Sequence, residues 1–363
     1  MRPIFDSHLD LSWNALSWDR DQDLPLDDLN RRDRAFEDDD ARGHATTTLP
    51  EMRRARIAVC LATILVRSKP KSIPREGHRR TSLDFPSQSI AYAVGQGQLA
   101  YYRLLERQGQ LRMLRTAADL EAHWRASTGP EPVEAPIGYI LAMEGADPIV
   151  EPAQAEEWWN DGLRCVNLVH YGAGPYAVGT GEEGPLTPRG VELLREIERL
   201  GLILDVTHLS DKSFFEVMER HSGPVHASHQ NCRALVPGCR QFTDEQVRHV
   251  IERGGVLGTC CDAWMLHEGW QTGKTDRGTV PLERLADHIQ RVCDLAGNHD
   301  HAAIGSDLDG GFGTEQTPGG LDRISDLQKL DAILSRRGFA SAAIDAIFYG
   351  NWLRFFRRHL PQN

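Results

Sequence analysis

Residue types that bind metals or move protons recur at the ends of short apolar runs in this 363-residue chain. The first run ends in Asp-Ser-His-Leu-Asp, where His8 and Asp10 are two residues apart. Side chains with that spacing lie on the same side of an extended chain, so both can reach one cation. Later runs end close to the other candidates, which are Glu144, His170, His208, His229 and Asp307. Imidazole and carboxylate groups are usual zinc ligands, so the sequence predicts a metal site.

Eight apolar runs must position these side chains. They lack the alternation expected when one face meets water, which indicates strands buried on both faces of a parallel sheet. They cover residues 3–8, 57–65, 138–143, 164–169, 202–207, 224–228, 255–260 and 302–305. Helix signals lie between them, such as Thr187-Pro188 and the capping box of Thr243 and Gln246. Strand and helix therefore alternate, which favours a closed barrel over the alternative, an open doubly wound sheet.

We therefore predict an α/β fold, a (β/α)8 TIM-type barrel that forms one domain over residues 1–363. The C-terminal ends of barrel strands converge on one mouth, and six of the eight runs bring an imidazole or a carboxylate there. Buried groups of this kind are costly without partners, so their convergence indicates cations. Charged residues 17–45 and basic residues 66–87 are expected to form long loops after strands 1 and 2.

Several similar residues compete with the candidates. His226 is three residues before His229, so the two side chains should face opposite sides, and we take His229 as the ligand. Asp205 is three residues before His208 and should also face away. Asp309 is on the same side as Asp307 if the strand continues, so that pair stays open. Asp6 should lie deeper in the barrel, and residues 299–301 should lie at the opposite face.

Composition excludes several classes of protein. The chain has 41 basic and 52 acidic residues, which argues against a nucleic-acid partner. No apolar run reaches the roughly 18 residues of a membrane span, and residues 1–8 do not resemble a secretion signal. Seven cysteines without a CxxC pair indicate neither a disulfide framework nor a thiolate zinc site. We therefore expect a cytoplasmic protein that does not bind membranes.

The ordered motifs resemble the renal (membrane) dipeptidase family, a branch of the metal-dependent amidohydrolase barrels. The resemblance extends through nearly the whole chain. It rests on Asp6-Ser7-His8-Leu9-Asp10, Ala142-Met143-Glu144-Gly145, Asp205-Val206-Thr207-His208-Leu209-Ser210, Ala227-Ser228-His229 and Gly305-Ser306-Asp307-Leu308-Asp309-Gly310. The chain departs from the family at Ser7 and Leu9, where glycine and asparagine are usual. Residues 259–264 also replace a more polar, tyrosine-containing segment near the substrate pocket.

The resemblance implies a role for each candidate residue. It implies two zinc ions per chain, bridged by Glu144 and by a water or hydroxide. His8 and Asp10 would hold the first ion, and His208 and His229 would complete the second.

Three further residues would act on the substrate. Asp307 would move the proton of the bridging water, and His170 would stabilise the oxyanion. Arg240 would bind the terminal carboxylate of a dipeptide, with Arg233 as the competing candidate. The resemblance also suggests a homodimer.

This arrangement predicts a zinc dipeptidase that cleaves dipeptides with a free C-terminal carboxylate, and the sequence leaves open whether the C-terminal residue can be a D-residue. A two-zinc site can activate water for amide hydrolysis at neutral pH. Another small-amide, lactam or ester hydrolase on the same site is the alternative, and Arg240 is the discriminating residue. Deaminase-like relatives favour a His-x-His opening, unlike His8-Leu9-Asp10. A non-catalytic metal-binding barrel is a further hypothesis.

Overall fold

The computed structural model describes residues 1–69, 83–128 and 135–362. Apolar and β-branched residues form most of the strands. The strands are β1 (Ile4–Leu9), β2 (Ile57–Leu65), β3 (Arg67–Ser68), β4 (Asp84–Phe85), β5 (Leu111–Met113), β6 (Ile137–Glu144), β7 (Leu163–Val166), β8 (Ile203–Asp205), β9 (Val225–His226), β10 (Leu257–Thr259) and β11 (Ala302–Ile304). They are buried apart from β3 and β4 and the exposed Arg112 of β5.

Helices separate these strands along the chain. They are α1 (Leu11–Ser17), α2 (Leu26–Asp33), α3 (Leu49–Arg54), α4 (Gln88–Arg107), α5 (Ala117–Ser127), α6 (Ala155–Asn160), α7 (Pro188–Leu200), α8 (Asp211–Arg220), α9 (Asp244–Glu252), α10 (Glu283–Ala296), α11 (Lys329–Arg336), α12 (Ser341–Asp345) and α13 (Asn351–His359). Thr187 caps α7, and Thr243 with Gln246 forms the predicted capping box of α9. Among the described residues, no helix is long and apolar enough to cross a membrane.

The parallel strands follow the order β1-β2-β6-β7-β8-β9, while β10 pairs with β11. A parallel bridge between Ala227 and Leu257 joins β9 to β10. On the other side, the amide of Asp307 donates to the carbonyl of His8 at 3.3 Å and connects β11 to β1. Each of the eight predicted runs overlaps one of these strands. The prediction of an α/β barrel is therefore confirmed, and the open doubly wound sheet was the wrong alternative.

Two glycines let the strands approach closely inside the barrel. A Cβ atom on Gly258 would lie 2.0 Å from the carbonyl oxygen of Ser228, and one on Gly305 would lie 1.9 Å from the same atom. Any larger residue would force the backbones apart, which is why glycine is required there. These two positions keep β10 and β11 within reach of the neighbouring strands.

The segment after β1 is more ordered than a solvated loop. Residues 17–45 contain α2 and bury the side chains of Arg20, Asp33 and Arg42. Asp33 accepts hydrogen bonds from Arg20 Nη2 at 3.1 Å and Arg42 Nη1 at 2.7 Å, and both guanidinium groups stack on Trp18. The opposite charges of these buried side chains thus compensate each other.

The predicted loop after strand 2 is only partly described. Of residues 66–87, positions 70–82 lie outside the described residues. On either side of them, β3 and β4 form a short parallel pair that the sequence did not predict. β5, which pairs with the start of β6, was also missed, because the charged Arg112 separates its two apolar residues and no apolar run marks the strand.

Candidate metal centre

The predicted site residues meet at the C-terminal end of the barrel. They lie at the ends of six different strands, or in the loops just after them, and these ends meet at one mouth: β1, β6, β7, β8, β9 and β11. A pocket of about 160 Å³ is lined by seven of the eight, namely Asp10, Glu144, His170, His208, His229, Arg240 and Asp307. His8, the eighth, is buried among them and contacts Glu144.

Glu144 lies at the centre of this group. Its Oε2 atom lies 3.2 Å from Nε2 of His8, while Oε1 lies 3.2 Å from Nε2 of His208 and 3.4 Å from Nε2 of His229. The two oxygens of one carboxylate therefore face different imidazoles. A carboxylate placed in this way can serve two neighbouring cations.

Two further carboxylates lie close to the imidazole of His8. Asp10 Oδ1 lies 3.8 Å and Asp307 Oδ1 lies 3.9 Å from Nε2 of His8. Asp307 Oδ2 lies 4.0 Å from Nε2 of His229, so this residue reaches both sides of the centre. Three overlapping sets have ligand atoms within 4.8 Å of one another: His8, Glu144 and His229; Glu144, His170 and His208; and His8, Asp10 and Asp307.

Unusual backbone conformations direct two of these side chains. The φ angle is 66° at His208 and 58° at Asp307, in the left-handed region that L-residues rarely adopt. Both residues come three positions after a strand ends, where the chain leaves the sheet. Strained non-glycine residues are typical of functional sites, where the surrounding structure maintains them.

Hydroxyl groups orient three of the imidazoles. Ser228 Oγ lies 3.2 Å from Nδ1 of His8 and 2.9 Å from Nδ1 of His229, and Thr180 Oγ1 lies 3.0 Å from Nδ1 of His208. The three Nε2 atoms therefore face Glu144. A hydrogen bond at one ring nitrogen commonly orients a histidine whose other nitrogen binds a metal.

The charges at the centre are strongly coupled. Burial lowers the pKa of His8, but Glu144, Asp10 and Asp307 outweigh burial and raise this pKa to about 10. Burial and the charge of Glu144 raise the pKa of Asp10 to about 7. The pKa of Asp307 is raised well above its usual value, first by burial and then by Glu144 and Asp10.

The pKa values of His208 and His229 are lowered, in contrast to that of His8. Burial is the largest cause that lowers the pKa of His208 to about 4 and holds the pKa of His229 well below its usual value. Neutral imidazoles and ionised carboxylates are the forms that bind metals. This nitrogen and oxygen donor set fits a divalent cation such as zinc, and three buried carboxylates at this spacing require positive charge nearby.

The competing residues have structural roles. Asp309 accepts hydrogen bonds from the backbone of Thr46 and Thr47, which separates it from Asp307. Asp6 accepts from the amide of Ser306 at 2.8 Å. Asp205 caps the turn before His208 by accepting from Thr207 and Ser228, and His226 packs against the aromatic rings of α13.

The two arginine candidates also differ. Arg240 is buried, donates to Gln230 Oε1 at 2.7 Å and to the carbonyl of His229 at 2.8 Å, and lines the pocket. Arg233 instead donates both terminal nitrogens to the carboxylate of Asp211 at 2.7 Å and is not among the lining residues. The structure therefore brings Arg240, and not Arg233, to the site.

Sequence reasoning missed several lining residues. Arg67, Tyr171 and Trp13 contribute to the pocket wall, as do Asp262 and Trp264 of the 259–264 segment that was expected near the substrate pocket. Arg67 and Tyr171 each lie shortly after a barrel strand, so their position was an available signal. Neither is a typical metal ligand, and for that reason neither was selected.

Comparisons with known proteins find relatives over most of the chain. A family model described as membrane dipeptidase (peptidase family M19) matches residues 1–360. Dipeptidase verJ of Clonostachys rogersoniana is 25% identical over 357 residues, which cover 97% of this chain and 83% of that protein. An uncharacterised protein from the pqqA 5' region of Klebsiella pneumoniae is 29% identical over 257 residues, covering 69% of this chain and 89% of its own.

Solved structures share the fold. A metallopeptidase from Rhodobacter sphaeroides, liganded with a phosphinate mimic of the dipeptide L-Ala-D-Ala, superposes with a TM-score of 0.77. It is 23% identical, and the match covers 99% of each chain. The same barrel architecture is therefore present in both proteins.

Proposed function

The chain belongs to the membrane dipeptidase family, peptidase family M19, and on that premise we propose that it is a binuclear zinc dipeptidase. Family membership makes the chain a hydrolase and implies metal ions. The proposed substrate is a dipeptide with a free C-terminal carboxylate, including one whose C-terminal residue is a D-amino acid. The ligand named for the Rhodobacter sphaeroides structure, a mimic of L-Ala-D-Ala, supports including the D-residue.

The observation that carries the proposal is the position of Glu144. One of its oxygens contacts His8 and the other contacts His208 and His229. His8 with Asp10 would hold one ion, His208 with His229 would hold the other, and Glu144 would bridge them. When bound, such ions would lower the pKa of bound water to about 7 and would polarise the scissile carbonyl.

The residues of this chain would then perform the proton transfers. Asp307, whose two oxygens face His8 and His229, takes the proton of the attacking water and returns it to the leaving amine. The pKa of this carboxyl is raised by burial and by Glu144, which suits a group that must both accept and release a proton. His170 would donate a hydrogen bond from Nε2 to the carbonyl oxygen as its negative charge develops.

Arg240 would select the substrate. Its guanidinium group is held by Gln230 and by the backbone of His229, so its orientation is fixed before a substrate binds. A fixed guanidinium binds a carboxylate through two parallel hydrogen bonds. Substrates without a terminal carboxylate gain nothing from this residue.

The proposal is tested with zinc-loaded protein and a panel of L-X-L-X and L-X-D-X dipeptides. Each dipeptide is paired with its C-terminal amide as a matched control. Rapid cleavage of the free dipeptides and slow cleavage of the amides is the expected result. If no dipeptide is cleaved by protein that holds two metal ions, the site belongs to another small-amide, lactam or ester hydrolase. The homodimer, the cytoplasmic location and the single domain over residues 1–363 stay predictions.

A further inference from the structure

The four histidines at the site differ in the partner of the Nδ1 atom. In His8, His208 and His229 this atom faces a hydroxyl group, from Ser228 or Thr180. In His170 it faces Nη1 of Arg67 at 3.3 Å. All four rings nevertheless turn Nε2 towards Glu144, and Nε2 of His170 lies 3.8 Å from its Oε1 atom.

The two kinds of partner have different consequences. A hydroxyl oxygen can accept a hydrogen bond, so the Nδ1 atoms of the first three rings can carry the proton and leave a lone pair on Nε2. A guanidinium group has donors only and no acceptor. The Nδ1 atom of His170 must therefore accept from Arg67, and the neutral ring then carries its proton on Nε2.

From this contrast we propose that Arg67 is a positioning residue that fixes His170 as the Nε2–H tautomer. This tautomer makes His170 a hydrogen-bond donor that faces the pocket. It also keeps His170 out of the metal ligand set, although its Nε2 atom is close enough to Glu144 and His208 to join that set. The role of the donor in hydrolysis rests on the proposed function, whereas the tautomer does not.

Arg67 is itself held in place. Its Nε atom donates to Oδ1 of Asp84 at 2.6 Å, and the two residues are register partners in the β3–β4 pair. The amide of the adjacent Ser68 donates to Asp147 Oδ1 at 2.7 Å, which fixes the strand to the loop after β6. The guanidinium group therefore reaches His170 from a constrained backbone.

The inference is tested with zinc-loaded protein whose histidines are labelled with ¹⁵N. Two-bond ¹H–¹⁵N spectra report which ring nitrogen carries the proton, and a His170→Gln spectrum identifies the His170 signals. We compare the wild type with Arg67→Met, which has no donor, and Arg67→Lys, which keeps one. Arg233→Met is the matched control, since that arginine pairs with Asp211 and contacts no site histidine.

In the wild type and in Arg233→Met, we expect the proton of His170 on Nε2. In Arg67→Met the Nδ1–H tautomer should appear, and kcat for a dipeptide should fall about 10- to 100-fold with little change in KM. Arg67→Lys should restore much of the Nε2–H tautomer and much of the wild-type kcat. Zinc content should stay equal to the wild type in Arg233→Met and Arg67→Lys.

Two results would overturn the inference. One is a wild-type His170 whose Nε2 atom carries no proton, which is the state of a metal ligand or of the Nδ1–H tautomer. The other is an Arg67→Met protein with an unchanged tautomer and an unchanged kcat. If the wild type cleaves no dipeptide, the proposed function fails, but the spectra still decide the tautomer.

Discussion

His8 and His229 share one hydroxyl group, because Ser228 Oγ lies 3.2 Å from Nδ1 of the first and 2.9 Å from Nδ1 of the second. A serine hydroxyl has only one hydrogen, so it can donate to one ring at most, and the other ring must donate to it. In the proposed centre these two histidines hold different ions. Ser228 therefore links the two halves of the metal site.

Removing this hydroxyl should weaken both halves together. We expect Ser228→Ala to lower the affinity for each of two zinc ions about 10- to 100-fold, because both rings lose their orienting partner. Thr180→Val, which removes the partner of His208 alone, should weaken only one ion. Competition with a chromophoric chelator measures both constants. If Ser228→Ala lowered the affinity for only one zinc ion, as Thr180→Val is expected to do, the link between the two halves would be disproved.

Arg240→Met tests the recognition of the substrate carboxylate. Loss of a charged hydrogen-bonding partner worth about 1.5–3 kcal/mol should lower kcat/KM roughly 10- to 100-fold for free dipeptides. The variant should also lose the discrimination against C-terminal amides. Arg233→Met, which lacks contact with the pocket, should retain wild-type kinetics. Retained discrimination in Arg240→Met would place carboxylate recognition elsewhere.

Asp309 should matter for stability. It accepts hydrogen bonds from the amide and hydroxyl of Thr46 at 2.8 and 2.7 Å and from the amide of Thr47 at 3.0 Å. Asp309→Ala leaves these buried donors without a partner and should reduce the free energy of unfolding by about 2–4 kcal/mol. Asp309→Asn keeps one acceptor oxygen and should lose less. Urea denaturation of metal-free protein measures both, and equal losses would contradict this explanation.

His288 should make stability depend on pH. Burial lowers the pKa of its ring from 6.5 to about 4, and Nδ1 accepts from the amide of Cys232 at 3.0 Å. The unfolded chain therefore binds the proton more readily, so the contribution is complete above pH 6.5 and is lost as the pH falls towards 4.

The expected loss over that pH range is on the order of 3 kcal/mol, at about 1.4 kcal/mol per pKa unit. His288→Asn keeps an acceptor but cannot titrate, so its unfolding free energy should fall less steeply in urea denaturation between pH 7 and about 4. His249→Asn, at a position whose side chain is 40% exposed, is the matched control. Identical slopes in wild type and His288→Asn would rule out this contribution.

The barrel and the convergence of the site could be predicted from the sequence, because both depend on local patterns. Uniformly apolar runs indicated the strands, and ligand-type residues followed their ends. The sequence could not tell which of Asp307 and Asp309 faces the site. Side chains alternate between two faces only while the chain is extended, and the strand ends before these residues. Their φ angles of 58° and 64° show that the chain is no longer extended there.

Other features depend on contacts between distant residues. The charged residues after β1 suggested a solvated loop, but Asp33 compensates Arg20 and Arg42 in a buried cluster. Arg67 was missed because its role depends on His170, which is 103 residues away in the sequence. No local pattern reports either contact.

The most direct test of the account is the rate of dipeptide hydrolysis by Asp307→Asn at equal zinc content. We predict that the variant binds two zinc ions with wild-type thermal stability, while kcat falls by roughly 10²- to 10⁴-fold because proton transfer is lost. Loss of zinc in the variant would make Asp307 a ligand, as its approach to His8 would allow. Wild-type turnover with two ions bound would contradict the central claim that Asp307 moves the proton.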